Sequence, residues 1–163
     1  MFKSELMKKL SNCFGPSGRE KMIREMIMDE IKNYADEITI DPLGNLIARK
    51  KGTGKKILFS AHMDQIGLII THVDEKGFLR FANVGGLNAK ELLGLRMVFD
   101  NGLEGVICQE ELKDKEKITM GKLFLDVAST DKEFILKNFR VGDMCVFNTE
   151  YYETEDCVIC KAA

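Results

Sequence analysis

A short apolar run at residues 57–59, Ile-Leu-Phe, constrains the fold of this chain more than any other feature. It follows a turn-like segment at residues 51–54 and is followed closely by two polar side chains, His62 and Asp64. A run of this length and composition is typical of a buried strand. Because a wholly apolar strand needs both faces of its sheet covered, the run predicts a layer of α/β structure.

The polar pair after this run, His62 and Asp64, is the candidate functional site. Functional residues of open α/β sheets tend to lie at the carboxyl ends of strands. A neutral imidazole is a good ligand for a divalent metal, and a nearby carboxylate can hold the other ring nitrogen or bind metal itself. The same spacing also fits a strand-end histidine satisfied by a backbone carbonyl. The residues alone leave both interpretations open.

Charge and hydropathy exclude several classes of function. A net charge of -2 and a pI near 5.8 provide no basic surface for a phosphate backbone, so no nucleic-acid partner is expected. The first ten residues are interrupted by charge too often for a signal peptide, and no later run is long enough to span a membrane. We therefore expect a cytoplasmic protein without a membrane partner, and peptides or small molecules remain as substrates.

The cysteines favour reduced thiols over a disulfide framework. There are five, an odd number, in a chain that we expect to be intracellular. Cys157 and Cys160 form a single C-x-x-C pattern with a β-branched interior. In a strand, side chains three positions apart point to opposite faces, so these two sulfurs are not expected to converge on a metal.

The first 66 residues have the periodicity of helices followed by strands. A helix is predicted over residues 4–13, and a second one runs from a capping box formed by Ser17 and Glu20 to about Tyr34. Residues 38–48 predict a hairpin around a turn-rich centre. Two helices and a hairpin are too few to cover an α/β sheet, so either another chain completes the layer or the sequence is a fragment of a longer α/β protein.

From Gln65 onward the pattern changes to short apolar or alternating runs separated by turns, which predicts a small β-rich, barrel-like unit. One short helix is predicted over residues 131–139. We accordingly expect three parts: the start of an α/β domain, a β-rich domain and a returning strand, at residues 1–66, 67–156 and 157–163.

Several motifs occur in a characteristic order. They are Gly15-Pro16-Ser17-Gly18 with Glu20, Asp41 with Gly44-Asn45-Leu46, Ala61-His62-Met63-Asp64 with Gly67, Gly85-Gly86, and Gly142-Asp143. With these motifs the chain resembles the N-terminal portion of the dinuclear-metal aminopeptidases of the tetrahedral-assembly type, which include glutamyl and deblocking aminopeptidases. A complete member is about twice as long, and some members carry the label cellulase or endoglucanase.

The resemblance implies a fold, a site and partners. It implies an α/β/α metallopeptidase layer, incomplete here, with a β-rich dimerisation domain inserted after the strand that carries the histidine. His62 would be a ligand of one of two divalent ions, zinc or cobalt, and Asp64 the active-site carboxylate that orients its imidazole. Peptides would be the substrates and a homo-oligomer the assembly. The other ligands would lie beyond Ala163, so this truncated chain is expected to bind metal weakly and to be inactive.

One residue departs from the family pattern, and two other functions remain as alternatives. Gln65 stands where members usually carry a glutamate, which removes a charge beside the site. The chain could instead be a non-catalytic oligomerisation or regulatory module. A glycoside hydrolase is the third hypothesis, since paired acids could come from Glu110, Glu111, Asp114 and Glu116, although alternation with lysines favours a solvated loop.

Overall fold

The computed structural model describes residues 4–113 and 116–161, and its first part is helical. Helix α1 spans Ser4–Asn12 and helix α2 spans Lys21–Ile31. Strands β1, Glu37–Ile40, and β2, Leu46–Arg49, form an antiparallel hairpin whose turn is held by Asp41. The two helices and the hairpin predicted from the periodicity are therefore present.

The predicted capping box is wrong. Helix α2 begins at Lys21, with Glu20 at the N-cap position and no side-chain cap. The Ser17 hydroxyl donates to the carboxylate of Asp64, and the Glu20 carboxylate accepts from the backbone N–H of Gly18. The physical reason is that the Ser17 hydroxyl donates to a charged carboxylate, and such a charge-assisted hydrogen bond is stronger than the neutral one in which a capping serine accepts from a backbone N–H.

The predicted buried strand at residues 57–59 is also wrong. Ile57, Leu58 and Phe59 are 76%, 89% and 90% exposed, and residues 50–64 contain no strand. An apolar strand forms where neighbouring strands pair with it and layers cover it. Within the described ranges, none of the strands pairs with this segment, so its apolar side chains face outward.

The second part is a closed six-stranded antiparallel barrel, which confirms the predicted β-rich, barrel-like unit. The strand order is β3-β4-β7-β6-β5-β8, with β8 pairing back onto β3. The strands are β3 Gly67–Val73, β4 Leu79–Val84, β5 Arg96–Phe99, β6 Glu104–Gln109, β7 Leu123–Asp126 and β8 Met144–Phe147. A mixed α/β chain containing this barrel is the architecture of the protein.

Short helices connect or close the barrel. A single helical turn, α3, covers Ala89–Leu92, and a 3-10 turn covers Met120–Lys122. Helix α4 spans Lys132–Asn138 as predicted, and Asp131 caps it by accepting from two backbone N–H groups. A last hairpin pairs β9, Tyr152–Glu153, with β10, Val158–Ile159.

The barrel interior is the main hydrophobic core. Alternate residues of the strands point inward, as the period of two requires. Helix α4 adds Ile135, and Phe139 after it packs edge-on against Phe99 with ring centroids 4.8 Å apart. The core residues are Leu68, Ile70, Leu79, Phe81, Leu92, Met97, Phe99, Ile107, Leu123, Leu125, Val127, Ile135, Phe139 and Cys145.

All five cysteines lie in the described residues and are free thiols, as predicted. Burial raises the pKa of the Cys145 thiol to about 12, so this thiol stays protonated in the core. Cys157 is exposed beside the last hairpin, and Cys160 is only partly so. Among residues 4–113 and 116–161, no helix has both the length and the apolar composition of a membrane span.

Candidate functional site

The imidazole of His62 lies against Asp64. Its Nδ1 atom is 3.1 Å from the Asp64 carboxylate oxygen Oδ1 and also 3.1 Å from the Asp64 backbone carbonyl oxygen. Both contacts suit an Nδ1–H donor. The sequence left open whether a carboxylate or a backbone carbonyl holds this nitrogen, and in the structure both do. The His62 side chain is 64% exposed, which leaves the ring accessible to a ligand.

Asp64 joins His62 to the N-terminal part of the chain. Its Oδ2 atom accepts a hydrogen bond from the Ser17 hydroxyl, while Oδ1 contacts the His62 ring. The Ser17 hydrogen bond is the main reason that the pKa of Asp64 lies below its ordinary value; partial burial opposes this shift, and the His62 contact adds to it. Asp64 is therefore a carboxylate at neutral pH with both oxygens engaged.

Backbone contacts fix the loop that carries Ser17. The N–H of Gln65 donates to the Gly15 carbonyl at 3.0 Å, and the N–H of Ser17 donates to the Gln65 carbonyl at 3.3 Å. The Gln65 side-chain amide also donates to the Cys13 carbonyl at 2.6 Å. A glutamate at this position, as the resemblance would have, could not donate in this way when ionised.

Sequence reasoning brought His62 and Asp64 together and missed Ser17. The spacing of two residues was enough to place the imidazole beside the carboxylate. Ser17 lies 47 positions away in sequence from Asp64, and its pattern with Glu20 indicated a helix cap instead. The only signal that could have pointed to Ser17 was its place in the motif Gly15-Pro16-Ser17-Gly18, which came with the family resemblance.

The donors present fit one ligand of a metal and its orienting carboxylate. An accessible imidazole whose Nδ1 is held by a carboxylate is the usual arrangement of a metal-binding histidine. Stable zinc sites use three or four protein ligands. Across the residues that the structure describes, no group of three His, Cys, Asp or Glu side chains could hold an ion. A complete metal site therefore needs donors from elsewhere.

Two of the acids proposed for a glycosidase are paired with basic side chains. Glu110 binds Arg80 at 2.7 Å, and Glu116 binds Lys122 at 2.9 Å. The basic partners, Arg80 for Glu110 and Lys122 for Glu116, hold the pKa of each carboxyl below its ordinary value, which is the opposite of what a general acid requires. Asp114 lies outside the described residues.

Several sequence relatives are named aminopeptidases. The family described as M42 glutamyl aminopeptidase matches residues 44–163. A protein of Acetivibrio thermocellus, provisionally named an aminopeptidase, is 45% identical over 159 residues, which are 97% of this chain and 48% of that protein. The chain thus spans about half the length of the curated relatives it matches.

Solved structures agree in fold. The TET aminopeptidase of a marine sediment Thaumarchaeota archaeon superposes with a TM-score of 0.87 at 30% identity, over 95% of this chain and 47% of that one. The Pyrococcus horikoshii TET1 peptidase, described as assembling into a tetrahedron or a large octahedral shell, gives 0.79 at 37% identity, over 91% and 47% of the two chains.

A third solved neighbour carries the other label that the resemblance led us to expect. It is a Thermotoga maritima protein named endoglucanase, with a TM-score of 0.81 at 32% identity over 91% of this chain and 46% of that one. The matched family covers most of the chain, including His62 and Asp64. The chain belongs to the M42 glutamyl aminopeptidase family.

Proposed function

We propose that this chain is part of a metal-dependent aminopeptidase, cytoplasmic in location, that removes N-terminal residues from peptides. The observation that carries the proposal is the His62 ring, accessible and held through Nδ1 by Asp64, in a chain of this family. We also propose that residues 1–66 belong to the catalytic domain, 67–156 to a dimerisation domain and 157–163 to a returning strand. The barrel strands, which run from Gly67 to Phe147, support this division.

His62 would hold one of two divalent ions, zinc or cobalt, and Asp64 would fix the ring so that Nε2 meets the ion. A pair of such ions supplies a nucleophilic water and polarises the scissile carbonyl. The contribution of Asp64 is orientation and charge: it accepts a hydrogen bond from Nδ1–H and makes Nε2 a better electron-pair donor to the ion. Further ligands would come from outside the residues described.

We propose that the 163-residue chain alone binds metal weakly and lacks peptidase activity. Four-ligand zinc sites are worth about 10–16 kcal/mol, so one ligand supplies roughly 2.5–4 kcal/mol, or a dissociation constant of about 1–15 mM. The chain's other histidine, His72, is exposed on strand β3. Titration with Co²⁺, followed by paramagnetic broadening in NMR, should broaden the ring signals of His62 before those of His72. The variant His62→Ala should abolish this selectivity, and the matched variant His72→Ala should retain it.

Tight stoichiometric binding that survives His62→Ala would contradict this assignment. Hydrolysis of aminoacyl-anilide substrates by the chain alone should stay at background. In a longer product or a complex that provides the remaining ligands, we expect aminopeptidase activity that falls about 100-fold or more with His62→Ala. Cellulose hydrolysis by that same sample would favour the glycoside hydrolase instead.

We further propose that the chain forms a homo-oligomer, a dimer or larger. A solved relative described as a tetrahedral or octahedral assembly supports this, and so do apolar side chains left exposed, such as Leu58 and Phe59. Light scattering and sedimentation at micromolar concentration should report the mass of at least two chains of 18.5 kDa. A mass of one chain across the whole concentration range would refute it.

One observation favours a second candidate, a non-catalytic oligomerisation or regulatory module. The described residues offer no three-ligand metal cluster, so the barrel could be the working part. This candidate predicts the same oligomer but no selective effect of Co²⁺ on His62. The metal titration therefore separates the two functions.

A further inference from the structure

Three side chains form a continuous line of hydrogen bonds from the N-terminal loop to the candidate metal ligand. The Ser17 hydroxyl donates to Oδ2 of Asp64, and Oδ1 of Asp64 lies 3.1 Å from Nδ1 of His62. Ser17 is partly buried, and its hydroxyl is not used to cap helix α2. The hydrogen bond between Ser17 and Asp64 therefore does not contribute to the capping of helix α2.

The loop around Ser17 is held in register with the segment that carries Asp64. Pro16 and Gln65 form a parallel bridge, with backbone hydrogen bonds on both sides of it. Gly15 packs against helix α2 so closely that an added Cβ would lie 2.6 Å from Cγ2 of Ile23. Backbone contacts thus fix the position of Ser17 without relying on the Asp64 side chain, as a support for an orienting group requires.

A carboxylate that is bonded through one oxygen can still rotate about its side-chain torsions, whereas one bonded through both is fixed. A neutral imidazole carries a single proton, and the acceptor beside Nδ1 decides whether the proton sits there or on Nε2. With the proton on Nδ1, the lone pair on Nε2 is free for an ion. Anything that fixes Asp64 toward Nδ1 therefore prepares Nε2 as a ligand.

We propose that Ser17 is a positioning residue: its hydroxyl holds Asp64 so that the proton of neutral His62 stays on Nδ1 and Nε2 is presented to a divalent metal. The last step, the metal, rests on the proposed function. The effect of Ser17 on the His62 ring does not, because it arises from contacts within the chain.

The test is a direct measurement of the ring tautomers by long-range ¹H–¹⁵N NMR on the full chain, at a pH about two units above the ordinary histidine pKa of about 6.5. The chain has only two histidines, so exposed His72 serves as an internal reference. We expect His62 to favour the Nδ1–H form and His72 to show the ordinary mixture of an unpaired ring.

The matched variants are Ser17→Val and Ser17→Thr, which have nearly the same shape and differ by the hydroxyl. Ser17→Val should lower the ratio of the Nδ1–H to the Nε2–H form of His62 by about three- to tenfold, the range expected for losing support from a charge-assisted hydrogen bond. Ser17→Thr should keep the ratio within about twofold of the original. Unchanged amide signals from the barrel strands would show that both variants are folded.

Two results would overturn the inference: equal tautomer ratios for His62 and His72 in the original chain, or equal ratios in the Val and Thr variants. Addition of Zn²⁺ to the same samples separates this inference from the proposed function. A hydroxyl-dependent tautomer ratio with no selective response of His62 to Zn²⁺ supports the role of Ser17 on the ring and counts against the metal site. A selective Zn²⁺ response with no dependence on the hydroxyl overturns the role of Ser17 alone.

Discussion

Replacement of Phe139 by alanine should lower the free energy of unfolding by about 4 kcal/mol, because it removes a buried ring from the end of the barrel. Phe139 is 1% exposed and packs edge-on against Phe99. The loss combines the transfer energy of the ring, the cavity left behind and the aromatic contact. Against a typical total stability of about 5–15 kcal/mol, this is a large fraction.

The matched control is Phe59→Ala, the same substitution at a ring that is 90% exposed. At a concentration low enough for the chain to be monomeric, it should change the free energy of unfolding by less than about 0.5 kcal/mol. Urea titrations followed by far-UV circular dichroism give both values, since the chain has no tryptophan to report by fluorescence. Equal destabilisation by the two substitutions would mean that Phe59 is buried after all, as its sequence pattern suggested.

The difference between Phe59 and Phe139 illustrates what a sequence pattern can predict. Periodicity identified the alternation of the barrel strands and the helix over residues 131–139, because both signals are local. The burial of residues 57–59 depends on strands and layers that those three residues cannot provide. A local apolar run indicates that burial would be favourable. It does not indicate whether the described residues provide the strands and helices that would bury it.

The candidate site shows the same limit at the level of single side chains. His62 and Asp64 are two residues apart, so their contact could be inferred from spacing. Ser17 reaches Asp64 across 47 positions, through a bridge between Pro16 and Gln65 that no periodicity encodes. The closure of the barrel by pairing of β3 with β8 is equally non-local. Such pairings follow from the packing of the whole chain.

Replacement of Gly67 by alanine should lower the free energy of unfolding by about 3 kcal/mol, because the site has no room for a Cβ atom. Gly67 begins strand β3 and pairs with Val84 on one side and Val146 on the other. A Cβ built there would overlap the backbone carbonyl oxygen of Cys145 in strand β8. The Cys145 carbonyl belongs to the backbone and cannot rotate away as the end of a flexible side chain can. Strands β3 and β8 would therefore have to separate.

The matched control is Gly86→Ala, an alanine substitution at an exposed bend. A Cβ at Gly86 meets no atom within 4 Å, and its backbone does not need a positive φ. We expect the free energy of unfolding to change by less than about 1 kcal/mol, and a small increase would come from the stiffer unfolded chain.

Since Gly67 also stands three residues after Asp64, Gly67→Ala should disturb the His62 ring signals as the strand shifts. Equal changes in the free energy of unfolding for Gly67→Ala and Gly86→Ala would contradict the prediction. They would show that β3 and β8 leave room for a Cβ atom at Gly67.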